Sequence, residues 1–323
     1  MLLLSEGDVQ RLLPVAEAIG QMRAAFAALA RGEAQNQTRR RMVLPTGSVL
    51  HSMAGAWGGY FGAKLYSTHP RFGAHFLFLL YRAEDGQPLA LMEANHLGQI
   101  RTGATSGLAT DLLAAREAAS LGMIGSGFQA RTQLEAVAAV RRLRRVRVWS
   151  PTREHREQFA EEYRGKLEAD VRAVASAREA VEGAEIVVTA TSAREPVLEA
   201  DWVAPGAHIN AIGSNHARRR ELPAPLVRRA GLIVVDSIEQ ARIESGDLLL
   251  ALDDADWQSS RLVELKDIVA GQVPPERQPG LPTLFKSHGL GLEDVAAAAW
   301  VYERAMKEGC GTEIPLFYSG FPF

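Results

Sequence analysis

A chain of 323 residues with 47% apolar and 23% charged side chains has room for about two domains and the composition of an ordinary globular protein. Its 36 basic and 38 acidic residues leave a formal charge of −2, which excludes a general polyanion binder relying on a basic surface. The single cysteine, Cys310, excludes an internal disulfide and a Cys-rich zinc site and fits a reducing compartment. The apolar start Met1–Leu4 runs at once into Glu6 and Asp8 with no basic residue before it, unlike a secretory signal. The most apolar short run, Phe76–Tyr81, is far below the roughly 20 residues of a membrane span. A cytoplasmic protein with no membrane or nucleic-acid partner is expected.

In chain order, Val15, Ile19, Met22, Phe26 and Leu29 recur at helical spacing between Pro14 and Ala30, with Gly32 as the stop. Arg41 to Met53 alternates loosely around Pro45-Thr46-Gly47, a turn between two strands. Tyr60–Tyr66 and Ala74–Tyr81 read as strands, and Glu84-Asp85-Gly86 as a hairpin turn into a strand near Leu89–Glu93. A helix rich in small residues follows over 98–113. From Ser120 the character changes. Short apolar runs at Leu121–Ile124, Val146–Trp149, Val171–Val174, Ile186–Ala190, His208–Ile212 and Leu232–Asp236 alternate with helical segments near 128–142, 153–164, 176–182, 222–229 and 237–243. This alternation predicts an α/β fold with a parallel, doubly wound sheet. Past Leu262 the pattern predicts helix again, with Val273–Gly280 as a loop and Leu292–Lys307 as a long Ala-rich helix.

Gly125-Ser126-Gly127-Phe128-Gln129-Ala130 directly follows an apolar run and opens a helix, the context in which G-x-G-x-x-G/A binds a dinucleotide. Gly125 permits the turn, Gly127 lets the backbone approach a pyrophosphate, and Ala130 allows close helix–sheet packing. A purely structural turn is the alternative reading. NAD sites usually place an Asp or Glu about 20 residues further on. Here that position falls near Ser150, and no carboxylate precedes Glu154. Ser150, Thr152 and Arg153 suit a 2′-phosphate, so NADP(H) is favoured over NAD(H). Ser150 or Thr152 also suits a helix N-cap. The basic runs Arg141–Arg145 and Arg218–Arg220 read as solvated surface. The eight histidines form no H-E-x-x-H pattern, and neither a P-loop nor a G-x-S-x-G elbow occurs, so no metal is expected.

Gly62-Ala63-Lys64, Gln99–Ser106 (Q-I-R-T-G-A-T-S), the glycine loop at 125–130, His208–Gly213 (H-I-N-A-I-G) and Phe285–Asp294 (F-K-S-H-G-L-G-L-E-D) follow one another in a characteristic order. That order resembles the ornithine cyclodeaminase/μ-crystallin family over nearly the whole chain. The resemblance implies a homodimer. It implies a Rossmann-type domain (119–291) inserted into a discontinuous α+β dimerisation and substrate domain (1–118 plus 292–323), with the active site in the cleft between them. By position, Lys64 and Arg101 match substrate-binding residues. An arginine of Arg39–Arg41 matches another carboxylate contact, and Arg40 fits best by its spacing to Met53. Gly125 to Gln129 match the pyrophosphate loop, and Ser150 and Thr152 match the adenosine-ribose positions. Thr189, Ala190 and Thr191 match a loop beside the cofactor, and Ile212 and Ser287 match its nicotinamide side.

Two departures bear on activity. Asn215 stands in the segment where cyclodeaminases carry a proton-accepting aspartate, and an amide cannot take a proton at neutral pH. The glutamate that binds substrate in cyclodeaminases would fall near His51. The expected activity is therefore reduction of a carboxylate-bearing imine by NAD(P)H, with a cyclic imino acid such as pyrroline-2-carboxylate or piperideine-2-carboxylate as substrate. Lys64, Arg101 and Asn215 are the expected catalytic residues, with Arg40 joining Lys64 and Arg101 on the substrate. An alanine-type amino-acid dehydrogenase, an ornithine cyclodeaminase and a slow-turnover NADPH-binding protein are the alternatives.

Overall fold

The computed structural model describes residues 1–315, and the expected domain's residues 316–323 lie outside them. Two sheets organise the chain. The first has seven strands, and its elements follow closely from the N-terminal third of the sequence. They are β1 (Leu2–Leu4), α1 (Glu6–Leu12), α2 (Val15–Ala30), β2 (Gln35–Val43), β3 (Val49–Trp57), β4 (Tyr60–His69), β5 (Gly73–Arg82), β6 (Pro88–Glu93) and α3 (Asn95–Leu113). Tight turns close the β2–β5 hairpins. Gly58 and Gly59, with φ of 62° and 85°, supply the two left-handed residues that join β3 to β4.

The second sheet carries the apolar runs that begin at Ser120. Its elements begin with β7 (Ser120–Ile124), α4 (Phe128–Val140), β8 (Arg145–Trp149), α5 (Arg153–Tyr163), β9 (Asp170–Ala173), α6 (Ala177–Val181), β10 (Ile186–Thr189) and β11 (His208–Ala211). They continue with α7 (Ala224–Arg229), β12 (Leu232–Val235), α8 (Ile238–Glu244), α9 (Gly246–Leu249), α10 (Asp254–Trp257), β13 (Leu262–Glu264), α11 (Leu265–Val269) and β14 (Thr283–Lys286). Helix α12 (Gly291–Glu308) and β15 (Thr312–Glu313) then return to the first sheet, whose order is β15-β1-β6-β5-β4-β3-β2.

The second sheet runs β13-β12-β14-β11-β10-β7-β8-β9 and every pairing in it is parallel. Strands β7, β10, β11, β12 and β14 are buried at every position, which is why the first four fall in the short apolar runs of the sequence. The order reverses between β7 and β10, so a crevice opens at their carboxyl ends. One expectation needs correction. The stretch past Leu262 is not purely helical. It contributes β13 and β14, and β14 inserts between β11 and β12 in the middle of the sheet. Thr283-Leu284-Phe285-Lys286 carries only two apolar residues, and its four-residue length gives no readable period.

Helix α3 explains its small residues by where it packs. A Cβ on Gly103 would lie 2.6 Å from the Thr132 carbonyl oxygen of α4, and one on Gly107 would lie 2.9 Å from Ile19 Cδ1 of α2. Asn210 on β11 donates to Thr110 Oγ1 at 2.8 Å, tying α3 to the parallel sheet. Helix α12 approaches β3 equally closely, since a Cβ on Gly291 would meet the Ala54 carbonyl oxygen at 2.4 Å. One apolar core therefore runs from α2 through α3 and α12 to Val234 and Phe285 of the parallel sheet. Among the described residues no single helix is long and apolar enough to cross a membrane.

Candidate active site

A cavity of about 670 Å³ lies between the inner face of the antiparallel sheet, the start of α3, and the carboxyl ends of β11 and β14. Strand alternation delivers its first wall. Arg39 and Arg41 of β2, His51 of β3, Lys64 and Tyr66 of β4 and Phe76 of β5 all face inward. The expected Arg40 does not. Between Gln37 and Arg40 the β2–β3 register slips by one residue, so Thr38 and Arg39 both stand opposite Met53. This bulge flips the alternation. Arg40 is exposed on the outer face, while Arg39 and Arg41 reach the cavity.

Lys64 and Arg101 meet on one carboxylate. Lys64 Nζ donates to Asp294 Oδ1 at 2.8 Å and Arg101 Nε donates to the same oxygen at 2.9 Å. Arg101 Nη1 also reaches Glu293 Oε2 at 2.9 Å. Burial and the neighbouring Arg101 lower the Lys64 ammonium to about 7, against the pull of Asp294. Burial raises Glu293 to about 7. Arg39 donates to Glu244 Oε1 at 2.7 Å and to the His288 carbonyl at 2.6 Å, and Arg41 reaches Glu244 Oε2 at 2.5 Å. Neutral His51 stacks flat on Tyr66, at 4.2 Å between centroids, and burial lowers its pKa to about 4. Asn215, Ile212 and Ser287 line the same cavity from the other sheet. The Asn215 carbonyl accepts from Arg41 Nη2 at 3.0 Å.

The charge arrangement is one-sided. The cavity wall holds Arg39, Arg41, Lys64, Arg101 and Arg219, and none of its lining residues among those described is Asp or Glu. Glu244, Glu293 and Asp294 stand behind the cations, each with a side chain 2% or less exposed. Such a wall orients an anion by charge-assisted hydrogen bonds. The sequence motif ending in Glu293-Asp294 already contained two of these three acids. Glu244 lies in no motif and becomes visible only in three dimensions.

A second cavity of about 330 Å³ adjoins the crevice and is lined by Gly125, Ser126, Gly127, Ser150, Thr152, Ala190 and Thr191, among others. Its glycine loop and helix N-terminus would hold the pyrophosphate of a dinucleotide. Gly125 has φ of 109°, and a Cβ there would meet the Ala190 carbonyl oxygen at 2.3 Å. At Gly127 nothing lies within 4 Å of where a Cβ would stand, leaving open space before the uncapped N-terminus of α4. Phe128 opens that helix and is 39% exposed, and Gln129 lines the larger cavity. Two expected contacts are placed elsewhere. Arg153 points outward into an ion pair with Glu157 at 2.7 Å, because both lie on the exposed side of α5. Thr189 is fully buried and its hydroxyl donates to Glu221 at 2.9 Å, so it lines neither cavity. His155 and Trp149 complete the second cavity, and neither was expected there.

The geometry agrees with that of known proteins. Ketimine reductase mu-crystallin of Mus musculus is 40% identical over 225 residues, covering 70% of this chain and 68% of its own. The structure of Thermococcus litoralis Delta(1)-pyrroline-2-carboxylate reductase, in complex with NADH and L-proline, superposes with a TM-score of 0.92 at 36% identity, covering 97% of this chain and all of its own. An archaeal alanine dehydrogenase dimer with bound NAD superposes with a TM-score of 0.91 at 30% identity, covering 98% and 99% of the two chains. The ornithine cyclodeaminase/mu-crystallin family model matches residues 1–309, so motif order and fold converge and the chain belongs to that family.

Proposed function

We propose that this protein reduces an imine standing beside a carboxylate, using a nicotinamide cofactor. The cavity wall carries this reading. It presents five cations and no carboxylate, with Lys64 and Arg101 joined on a buried Asp294. Arg101, Arg39 and Arg41 suit the substrate carboxylate, and guanidinium pairing orients it. When bound, the nicotinamide supplies the hydride. Lys64, held near neutral pKa, donates a proton to the imine nitrogen and is recharged from solvent. Asn215 and neutral His51 hold geometry by hydrogen bonding. The same wall argues against ornithine cyclisation, which requires a carboxylate as proton acceptor.

The substrate class we favour is a cyclic imino acid such as pyrroline-2-carboxylate or piperideine-2-carboxylate. The reductases of known activity among its relatives support it. NADP(H) is the favoured cofactor, because no Asp or Glu among the described residues lines the dinucleotide cavity to hold a ribose 2′-hydroxyl. A homodimer is supported by the dimeric alanine dehydrogenase relative and by an outer sheet face with Leu50, Leu65 and Leu77 each more than 40% exposed. The single cysteine supports a reducing, cytoplasmic setting. Incubation with NADPH and pyrroline-2-carboxylate or piperideine-2-carboxylate should consume NADPH absorbance and form the cyclic amino acid. Ornithine-dependent ammonia release without imine reduction would overturn the reading.

A further inference from the structure

Parallel neighbours β10 and β11 end side by side, β10 leading into Ala190 and Thr191 of the dinucleotide cavity and β11 into Ile212 and Gly213 of the substrate cavity, and a nicotinamide reaching the substrate would cross that seam. Its backbone is held by a residue that lines neither cavity. Glu221 is fully buried, and each of its oxygens accepts two hydrogen bonds. Oε1 accepts from Thr191 N and Thr191 Oγ1, both at 2.7 Å. Oε2 accepts from Thr189 Oγ1 at 2.9 Å and Gly213 N at 2.7 Å. Thr191 belongs to the dinucleotide cavity and Gly213 to the substrate cavity. The crossing is tight, since a Cβ on Gly213 would lie 2.3 Å from the Thr191 carbonyl oxygen and 2.4 Å from Glu221 Oε1.

The support behind Glu221 is itself built from buried charges. Asp247 Oδ1 accepts from the Glu221 and Leu222 backbone amides at 2.7 and 2.9 Å. Asp247 Oδ2 lies 3.1 Å from Lys286 Nζ, which also donates to the Ser214 carbonyl at 2.6 Å. Lys286 is the lysine of the F-K-S motif, and its side chain is fully buried behind the site. Two backbone N–H groups and two hydroxyls converging on one carboxylate need an acceptor at both oxygens. A glutamine offers one acceptor and turns an N–H₂ toward fixed donors.

We infer that Glu221 is the positioning residue of the nicotinamide half of the cofactor: it clamps the Thr189–Thr191 and Gly213–Ser214 backbones into the seam through which that half enters the substrate cavity. The inference rests on the nicotinamide reading of the site. Asp247 and Lys286 set the position of Glu221 and of Ser214.

The test separates the two halves of the cofactor. The full chain is titrated with NADPH and NADH by nicotinamide fluorescence, and with adenosine diphosphate, which lacks the nicotinamide half. Glu221→Gln should weaken the tighter dinucleotide by about tenfold and lower kcat, while adenosine diphosphate affinity stays within about twofold. Thr189→Val removes one donor without changing side-chain shape or touching either cavity. It should move both readouts the same way by a smaller factor, and it decides the matter if Glu221→Gln does not fold. Equal loss of dinucleotide and adenosine diphosphate binding would mark Glu221 as a general support and overturn the inference. Unchanged dinucleotide affinity and kcat in a folded variant would overturn it too. Wild-type protein that binds adenosine diphosphate but neither reduced dinucleotide would overturn the nicotinamide reading itself, and this inference with it.

Discussion

Lys64 and Asp294 meet at 2.8 Å although 230 residues separate them, one on β4 and the other in the first turn of α12. The contact closes the cavity floor and joins the two ends of the chain, and Arg101 of α3 shares the same oxygen. Replacing Asp294 with Asn leaves two buried cations facing an amide. The expected cost is about 3–5 kcal/mol of stability, read from urea unfolding. A loss below about 1 kcal/mol would show that Glu293 alone suffices for these cations.

The proposed proton transfer from Lys64 predicts a pH dependence for the reaction. Its ammonium is lowered to about 7 by burial and Arg101, so the proton-donating form is full below that pH and drains away above it. Imine reduction at saturating cofactor should fall about tenfold per pH unit above the transition. Lys64→Arg stays protonated and should remove this limb while lowering the rate. A flat wild-type profile from about pH 6 to about pH 9 would exclude Lys64 as the proton source.

The bulge in β2 makes a three-way comparison of neighbouring arginines. Arg40→Ala should leave kcat/KM within about twofold, since its side chain lies on the exposed outer face. Arg41→Ala should lower kcat/KM by about tenfold or more, mostly through KM. Arg39→Ala should also destabilise the fold, because it removes the more buried of the two arginines paired with Glu244. A large effect at Arg40 with none at Arg41 would contradict the register.

The proposed preference for NADP(H) is tested at Ser150, whose Oγ accepts from Ser126 at 2.8 Å at the rim of the dinucleotide cavity. Ser150→Asp places a carboxylate where a 2′-phosphate would sit and where a 2′-hydroxyl would bond. The ratio of kcat/KM for NADPH over NADH should drop by about tenfold or more. An unchanged ratio would place the discrimination elsewhere on that rim.

Leu65 and Leu77 are directly paired across β4 and β5, and they are 46% and 47% exposed. Changing both to Lys should yield monomers in sedimentation analysis if a second copy covers this face. A persistent dimer would move the interface to another surface.

The local elements were legible because each carries a short-range signal. The helix at 15–30 repeats its apolar face every three to four residues. The glycine loop sits between a buried strand and a helix, and the alternating runs after Ser120 specify a parallel sheet. Motif order also located Lys64, Arg101, Asn215 and Ser287, which the fold brings to one cavity. Other features were not legible, for definite reasons. One extra residue in β2 exchanges the faces of three consecutive arginines, and a bulge leaves no compositional mark. Arg153 was expected at the cofactor, but the rotation of α5 gave it to Glu157. Glu221, Glu244 and Asp247 are acids in polar or helical stretches. Only packing shows that each is buried and which donors it receives.

The sequence by itself determined that strands and helices alternate, that a glycine loop opens a helix after a buried strand, and that residue 215 is an amide and not a carboxylate. These follow from periodicity, steric freedom at glycine and side-chain chemistry, all local properties. Tertiary structure alone decided which charges face the cavity and which stand behind it. Asp294 and Glu293 reach Lys64 and Arg101, and Glu244 reaches Arg39, across roughly 190 to 230 residues of chain. Whether a cation is free to meet a substrate depends on such partners, and the folded packing sets them.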